Sequence, residues 1–235
     1  MQLVGPPPGP DGGDGDGVGG VSNGASGPHG GGLPINALRN VALRLVATDY
    51  VALLDVDLLP STSLACLAGP AAGARLERLL PPGGRRGLVL PMFITDVGMA
   101  VPRTKAELLD QLAARVAAPY CLASQAGTAY DRWYRATAAA EARFVPGYEP
   151  YVALRAADAG AYDERFVGYG FNKVAWTWAA AVRGLRLYVH PSAFVVHANH
   201  ADNAWVARID RGGYLMTWRR YLAYVAEVAT AETRE

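Results

Sequence analysis

Apolar side chains are too sparse to form any stripe at the start of the chain, and the pattern changes abruptly at Leu33. From there Leu38, Val41, Ala42, Leu45 and Val46 recur at the spacing of one helix face, with Arg39, Asn40 and Arg44 off that stripe and Asn36 placed to cap it. This predicts an amphipathic helix. Residues 50–57 form a short apolar run ending in two acids, followed by the breakers Pro60 and Ser61, the pattern of a buried strand entering a loop. Residues 87–93 read as a second buried strand. Thr104 with Glu107 makes a capping-box pattern ahead of Leu108, Leu109, Leu112 and Val116, so a helix follows. Residues 144–155, interrupted by Pro146, Gly147 and Pro150, suggest an irregular strand, and residues 171–183 a helix that stops at Gly184. Residues 185–189 and 194–197 read as strands and residues 214–229 as a closing helix. Helices interleaved with short apolar strands indicate an α/β sandwich with a mixed sheet.

Composition divides the chain without changing that class. Residues 1–32 hold 13 Gly and 5 Pro and no Lys or Arg, so ordering them would cost entropy with little to bury, and a disordered tail or linker is expected before one domain over residues 33–235. A net charge of +1 gives no basic excess for nucleic acid, so any recognition is local. Cys66 and Cys121 allow at most one disulfide and no cysteine-rich zinc site. No run approaches the roughly 18 apolar residues of a membrane span, so any membrane anchor is expected outside this sequence.

The candidate chemistry begins at Asp55 and Asp57. Side chains two apart on a strand share a face, so the pair is expected to present two carboxylates to one point beyond the sheet, a site in outline for Mg²⁺ or Mn²⁺. Spacing alone is weak, since Asp14 and Asp16 repeat it in the Gly-rich segment; the apolar strand ahead of Asp55 supplies the context. A phosphatase built on an aspartyl nucleophile is disfavoured, because Leu59 stands where such enzymes carry Thr or Val. His197 ends the run AFVVH, where its imidazole is either a strand-end group bonded to backbone or a nitrogen ligand completing the metal site, with His200 a weaker ligand candidate. His190, before Pro191, reads as structural, and His29 lies in the tail.

The segments LPINALRNVALRLVATDYVALLDVDLLPS, KAELLDQL, the stretch from TAYDRWYRAT to FVPGYEPYV, YDERFVGYGFNKVA and AFVVHANH, in this order, resemble the catalytic domain of glycosyltransferase family 49 over about 200 residues. The resemblance implies a GT-A-like mixed sheet flanked by helices. It also implies an inverting enzyme that moves glucuronic acid from UDP-glucuronate to a hydroxyl of a growing glycan, with Mn²⁺ as cofactor (Mg²⁺ the alternative), in the Golgi lumen. On that pattern Asp55, Asp57 and His197 hold the metal. Arg39 and Asn40 match the helix that faces the nucleotide, with Asn172 and Lys173 as further donor contacts and Lys173 opposite the donor's carboxylate. Inversion needs a general base. The Gly-rich aromatic turn from Tyr162 runs into Asn172 and Lys173 where many such enzymes carry an acidic pair, which leaves Asp163, Glu164 and Glu149 as candidates. Trp133, Tyr134, Tyr148, Tyr151 and Tyr169 are available to stack on sugars. The nucleotide-binding βαβ unit of such enzymes lies well upstream of the acidic pair, so part of that half is expected to be missing here. The alternative is a carbohydrate-binding or scaffold domain without transfer.

Overall fold

The computed structural model describes residues 33–69, 72–197 and 211–232; the expected tail and His200 lie outside them. The elements in order are α1 (Ile35–Arg44), β1 (Tyr50–Ala52), β2 (Leu58–Pro60), α2 (Thr62–Leu67), α3 (Gly73–Leu79), β3 (Arg86–Leu90), β4 (Met92–Thr95), α4 (Lys105–Ala113), β5 (Ala117–Pro119), α5 (Tyr130–Trp133), β6 (Ala140–Glu141), β7 (Tyr151–Arg155), α6 (Asn172–Val182), β8 (Arg186–Val189), β9 (Val195–His197) and α7 (Arg211–Glu232). The strands build two mixed sheets where a single one was expected, one ordered β1-β7-β3-β8-β6 and the other β2-β9-β4-β5. The run 87–93 divides at Pro91, whose ring cannot donate to a ladder, so β3 joins the first sheet and β4 the second. β3 pairs parallel with β8, and β4 parallel with β9, so both halves of this divided strand are central.

The run 50–57 is likewise shorter as a strand than its pattern predicts. β1 ends at Ala52, a turn closed by the Leu58 amide on the Asp55 carbonyl follows, and β2 then leaves in the other sheet. Asp55 and Asp57 therefore sit in the connection between two sheets, and the face-sharing argument for a regular strand does not apply to them.

Helix α1 corrects the expected stripe. Pro34 occupies its N-cap position, where its fixed φ suits a helix start but its side chain offers no cap bond, and Asn36 lies inside the first turn. The buried residues are Asn36 and Asn40, whereas Leu38, Val41 and Leu45 are exposed. The polar face turns inward because residues 162–164 present backbone groups there. Asn40 Nδ2 donates to the Tyr162 carbonyl at 2.9 Å, and the Tyr162 amide donates back to Asn40 Oδ1 at 2.8 Å.

The capping box at Thr104 and Glu107 forms as predicted and starts α4. Gly184, at φ 82°, follows α6 and ends it where the sequence placed the stop. The core lies where the sheets meet. Phe93, Tyr130, Trp133 and Phe194 pack edge-on or tilted at centroid separations of 5.2–6.1 Å, and Lys105 Nζ seals one end by donating to the carbonyls of Trp133, Ala136 and Pro191.

His190 is structural, as the sequence suggests. It is fully buried, and its Nδ1 accepts the amides of Ser192 and Ala193. Burial first, and then the charge of Arg75, pushes its pKa down from 6.5 to about 4. The folded state thus disfavours the proton that the unfolded chain binds, so stability is full above pH 6.5 and falls as pH drops toward 4. A loss of about 3 kcal/mol across that window is expected from this one group. Urea unfolding of the wild type and of His190→Gln at several pH values checks it, because only the imidazole's share of the slope should vanish in the variant.

Candidate functional site

The site lies beyond the end of β1, where segments from both sheets and two helices converge. β1 runs antiparallel to β7, which brings the residues after Ala52 alongside Tyr151, the first residue of β7. Asp55 there meets three groups. Lys173 Nζ, from the start of α6, is 3.0 Å from its Oδ2, and the Tyr151 hydroxyl donates to the same oxygen. Arg39, from α1, stands 3.5 Å from Oδ1. Burial works against ionisation of Asp55, but Lys173 and the Tyr151 hydrogen bond outweigh it and hold the carboxyl below its ordinary range. Burial also opposes the charge on Lys173, and Glu149, Tyr151 and Asp55 together overcome it and raise its pKa.

Asp57 faces a different partner. β2 pairs antiparallel with β9 so that Leu58 is opposite His197, which delivers the preceding Asp57 to the imidazole. Its Oδ2 is 3.1 Å from His197 Nε2. Tyr120, just beyond β5, lies against the other side of that ring, at a centroid distance of 4.6 Å and an interplanar angle of 31°. The Tyr120 amide is tied to the Met92 carbonyl, so its position is fixed by the sheet. Two residues 140 positions apart are thus brought into contact by strand register alone.

Among the described residues, no three His, Cys, Asp or Glu side chains close on one point. The fit to a divalent cation therefore rests on the Asp57–His197 pair. One carboxylate oxygen and one imidazole nitrogen are the donor types Mn²⁺ accepts. Asp55, engaged by Lys173 and Tyr151, stands outside that pair.

Residues 21–211 match the profile described as glycosyl-transferase for dystroglycan, family 49. The chain belongs to glycosyltransferase family 49. The human xylosyl- and glucuronyltransferase LARGE2 is 38% identical over 182 residues, 74% of this chain and 24% of that protein. The chicken LARGE2s protein of the same description is 36% identical over 177 residues, 72% of this chain and 23% of its own. The glycosyltransferase-like protein gnt14 of Dictyostelium discoideum is 31% identical over 177 residues, 73% of this chain and 27% of that protein. The chain spans about a quarter of the length of these curated relatives.

Within this family-49 domain the remaining candidates separate by their surroundings. Arg39 reaches the site, donating to Asn172 Oδ1 at 2.9 Å and to Asn36 Oδ1 at 3.2 Å, with its guanidinium over the Tyr162 ring. Asn172 accepts that bond and the Lys173 amide on the same oxygen, so it serves as the joint between α1 and α6. Asn40 is not among the groups facing the opening. It is 5% exposed, with its amide committed to Tyr162 and Glu164, and it holds α1 to the turn.

The three candidate bases also part company. Asp163 takes three bonds from the Arg165 guanidinium, which reaches on to Glu227 of α7. Glu164 accepts from Asn40 Nδ2 at 2.8 Å. Glu149 alone of the three meets the Asp55 cluster, with Oε1 3.3 Å from Lys173 Nζ. Of the aromatic candidates, Trp133 and Tyr148 are core, Tyr134 packs edge-on to Trp133, Tyr151 is inside the carboxylate cluster, and Tyr169 is exposed. Sequence reasoning missed Tyr120 altogether. No motif marks it, because its place depends on β4–β5 register.

Proposed function

We propose that this domain serves a metal-dependent, inverting transfer of a sugar, glucuronic acid first among the candidates, from a UDP-sugar to a glycan hydroxyl. The observation that carries the reading is the contact of Asp57 with His197 beside a carboxylate held by two cations. Asp57 and His197, with Asp55, are the residues that would hold Mn²⁺, and a divalent cation there supplies positive charge against the departing diphosphate. Lys173 and Arg39 add fixed positive charge at the same mouth, suited to an anionic donor. Glu149 is the proposed base: its carboxylate takes the proton of the acceptor hydroxyl as that oxygen attacks the sugar carbon opposite the diphosphate. The relatives named xylosyl- and glucuronyltransferases support both xylose and glucuronate as donor sugars to be screened, and the family description supports a glycoprotein glycan as acceptor. The Golgi lumen is the proposed place of action; no described helix is long and apolar enough to cross a membrane.

A second reading, carbohydrate binding without transfer, is favoured by the engagement of Asp55 with Lys173 and Tyr151. Calorimetry of UDP with and without Mn²⁺ separates the two: metal-dependent heat supports the transferase, and heat from glycans but none from UDP supports the binding module. If UDP binds, Glu149→Gln is expected to lower the transfer kcat by about 10²–10⁴-fold with UDP affinity unchanged. Unaltered kcat in that variant would remove Glu149 from the mechanism.

A further inference from the structure

Tyr169 is the one aromatic residue among those described that is left exposed, at 47%. Its neighbours in the same turn are packed. Phe166 is buried, and the Phe171 ring lies 5.1–5.4 Å from Trp218, Tyr221 and Tyr214 of α7. The backbone carrying Tyr169 is held on both sides. The Gly168 amide donates to the Leu33 carbonyl at 2.8 Å, its carbonyl accepts from Asn172, and Phe171 anchors the far end. Gly168 and Gly170 have φ of 77° and 99°, which lets the chain turn sharply around the one residue between them. The ring is therefore displayed by a fixed turn whose other aromatics, Phe166 and Phe171, are packed inward.

Four residues further on is Lys173, whose amine pairs with Glu149. The same turn is tied to the Asp55 cluster through Asn172, whose Nδ2 donates to the Gly168 carbonyl and whose Oδ1 accepts from Arg39.

We propose that Tyr169 is the platform on which a pyranose ring of the acceptor stacks, on the turn that leads into Lys173 and its partner Glu149. The inference rests on the transferase reading for the role of Glu149 and on geometry for the platform. A pyranose offers an apolar C–H face to the electron-rich face of the ring and hydroxyls along its edge. Glu149, the proposed base, then meets the hydroxyl edge of a sugar held on that face.

The test uses two ligands on one protein: UDP with Mn²⁺ by calorimetry, and a panel of methyl β-pyranosides by saturation-transfer NMR. Tyr169→Ala is expected to weaken pyranoside binding roughly 3–10-fold, and Tyr169→Phe to stay within about 2-fold of wild type, both with UDP affinity unchanged. Pyranoside affinity unaffected by Tyr169→Ala overturns the platform, as does a loss of UDP affinity in its place, or a wild type that binds UDP and no pyranoside. Pyranoside binding through Tyr169 in a chain that never binds UDP keeps the platform and sinks the transferase. A chain that binds neither ligand removes both.

Discussion

His197→Ala and Asp57→Ala are each expected to weaken manganese-supported UDP binding by more than the roughly 10–100-fold that loss of an outer-shell partner costs a metal site. Either change removes half of the Asp57–His197 pair, and the remaining donor cannot hold a divalent cation against water. Asp57 precedes β2 and His197 is the last residue of β9, so unfolding midpoints should stay near wild type, with His197→Ala also freeing the face of Tyr120. Asp55→Asn gives an instructive contrast. It leaves the Asp57–His197 contact but takes one of its two carboxylates from Lys173 and the carboxylate from Arg39, so it should weaken metal-supported binding while metal-free affinity for UDP rises on the less neutralised cations. Full metal-dependent affinity in His197→Ala, measured by calorimetry on folded protein, would remove the imidazole from the site.

How far this site was legible follows from which positions depend on local pattern and which on register. Thr104 with Glu107 and the stop at Gly184 are local devices, and both are where the sequence put them. Asp57 and His197 were legible as residue types at strand ends, and the family resemblance joined them; only the pairing of Leu58 with His197 explains why they touch. The expected convergence of Asp55 with Asp57 rested on a strand that runs five residues further than β1 does, to Asp57. Once the strand ends at Ala52, the turn at Asp55 aims one acid toward β7 and α6 and the other toward β9. The choice among Asp163, Glu164 and Glu149 was closed to sequence reasoning because Arg165 is local to the first, whereas the Asn40 contact of the second and the Lys173 contact of the third span 124 and 24 positions. Tyr120 shows the limit of motif reading, since a lone tyrosine after proline carries no sign that an imidazole will lie against it.

Helix α1 supplies the largest effect on stability expected of a substitution. Its periodicity is sound, yet the buried side is the polar one: Leu38 is 51% exposed and Asn40 is 5% exposed. Asn40 answers both backbone groups of Tyr162 and also the Glu164 carboxylate, so Asn40→Ala strands a buried amide and a buried carbonyl and leaves a small void. A loss of about 3 kcal/mol is expected, at roughly 1–3 kcal/mol for each buried polar group without a partner. For a domain of this size that lowers Tm by roughly 6–12 °C. Asn40→Asp should be no better, because it keeps the acceptor for the Tyr162 amide but sets a carboxylate against a carbonyl and Glu164. Leu38→Ser, on the face the periodicity would have buried, should stay within about 0.5 kcal/mol of wild type. Thermal and urea unfolding of the three variants decides which face of α1 holds the domain together. A Leu38→Ser loss larger than that of Asn40→Ala would return the helix to the orientation its hydrophobic stripe predicts, and would move Arg39 away from Asp55 with it.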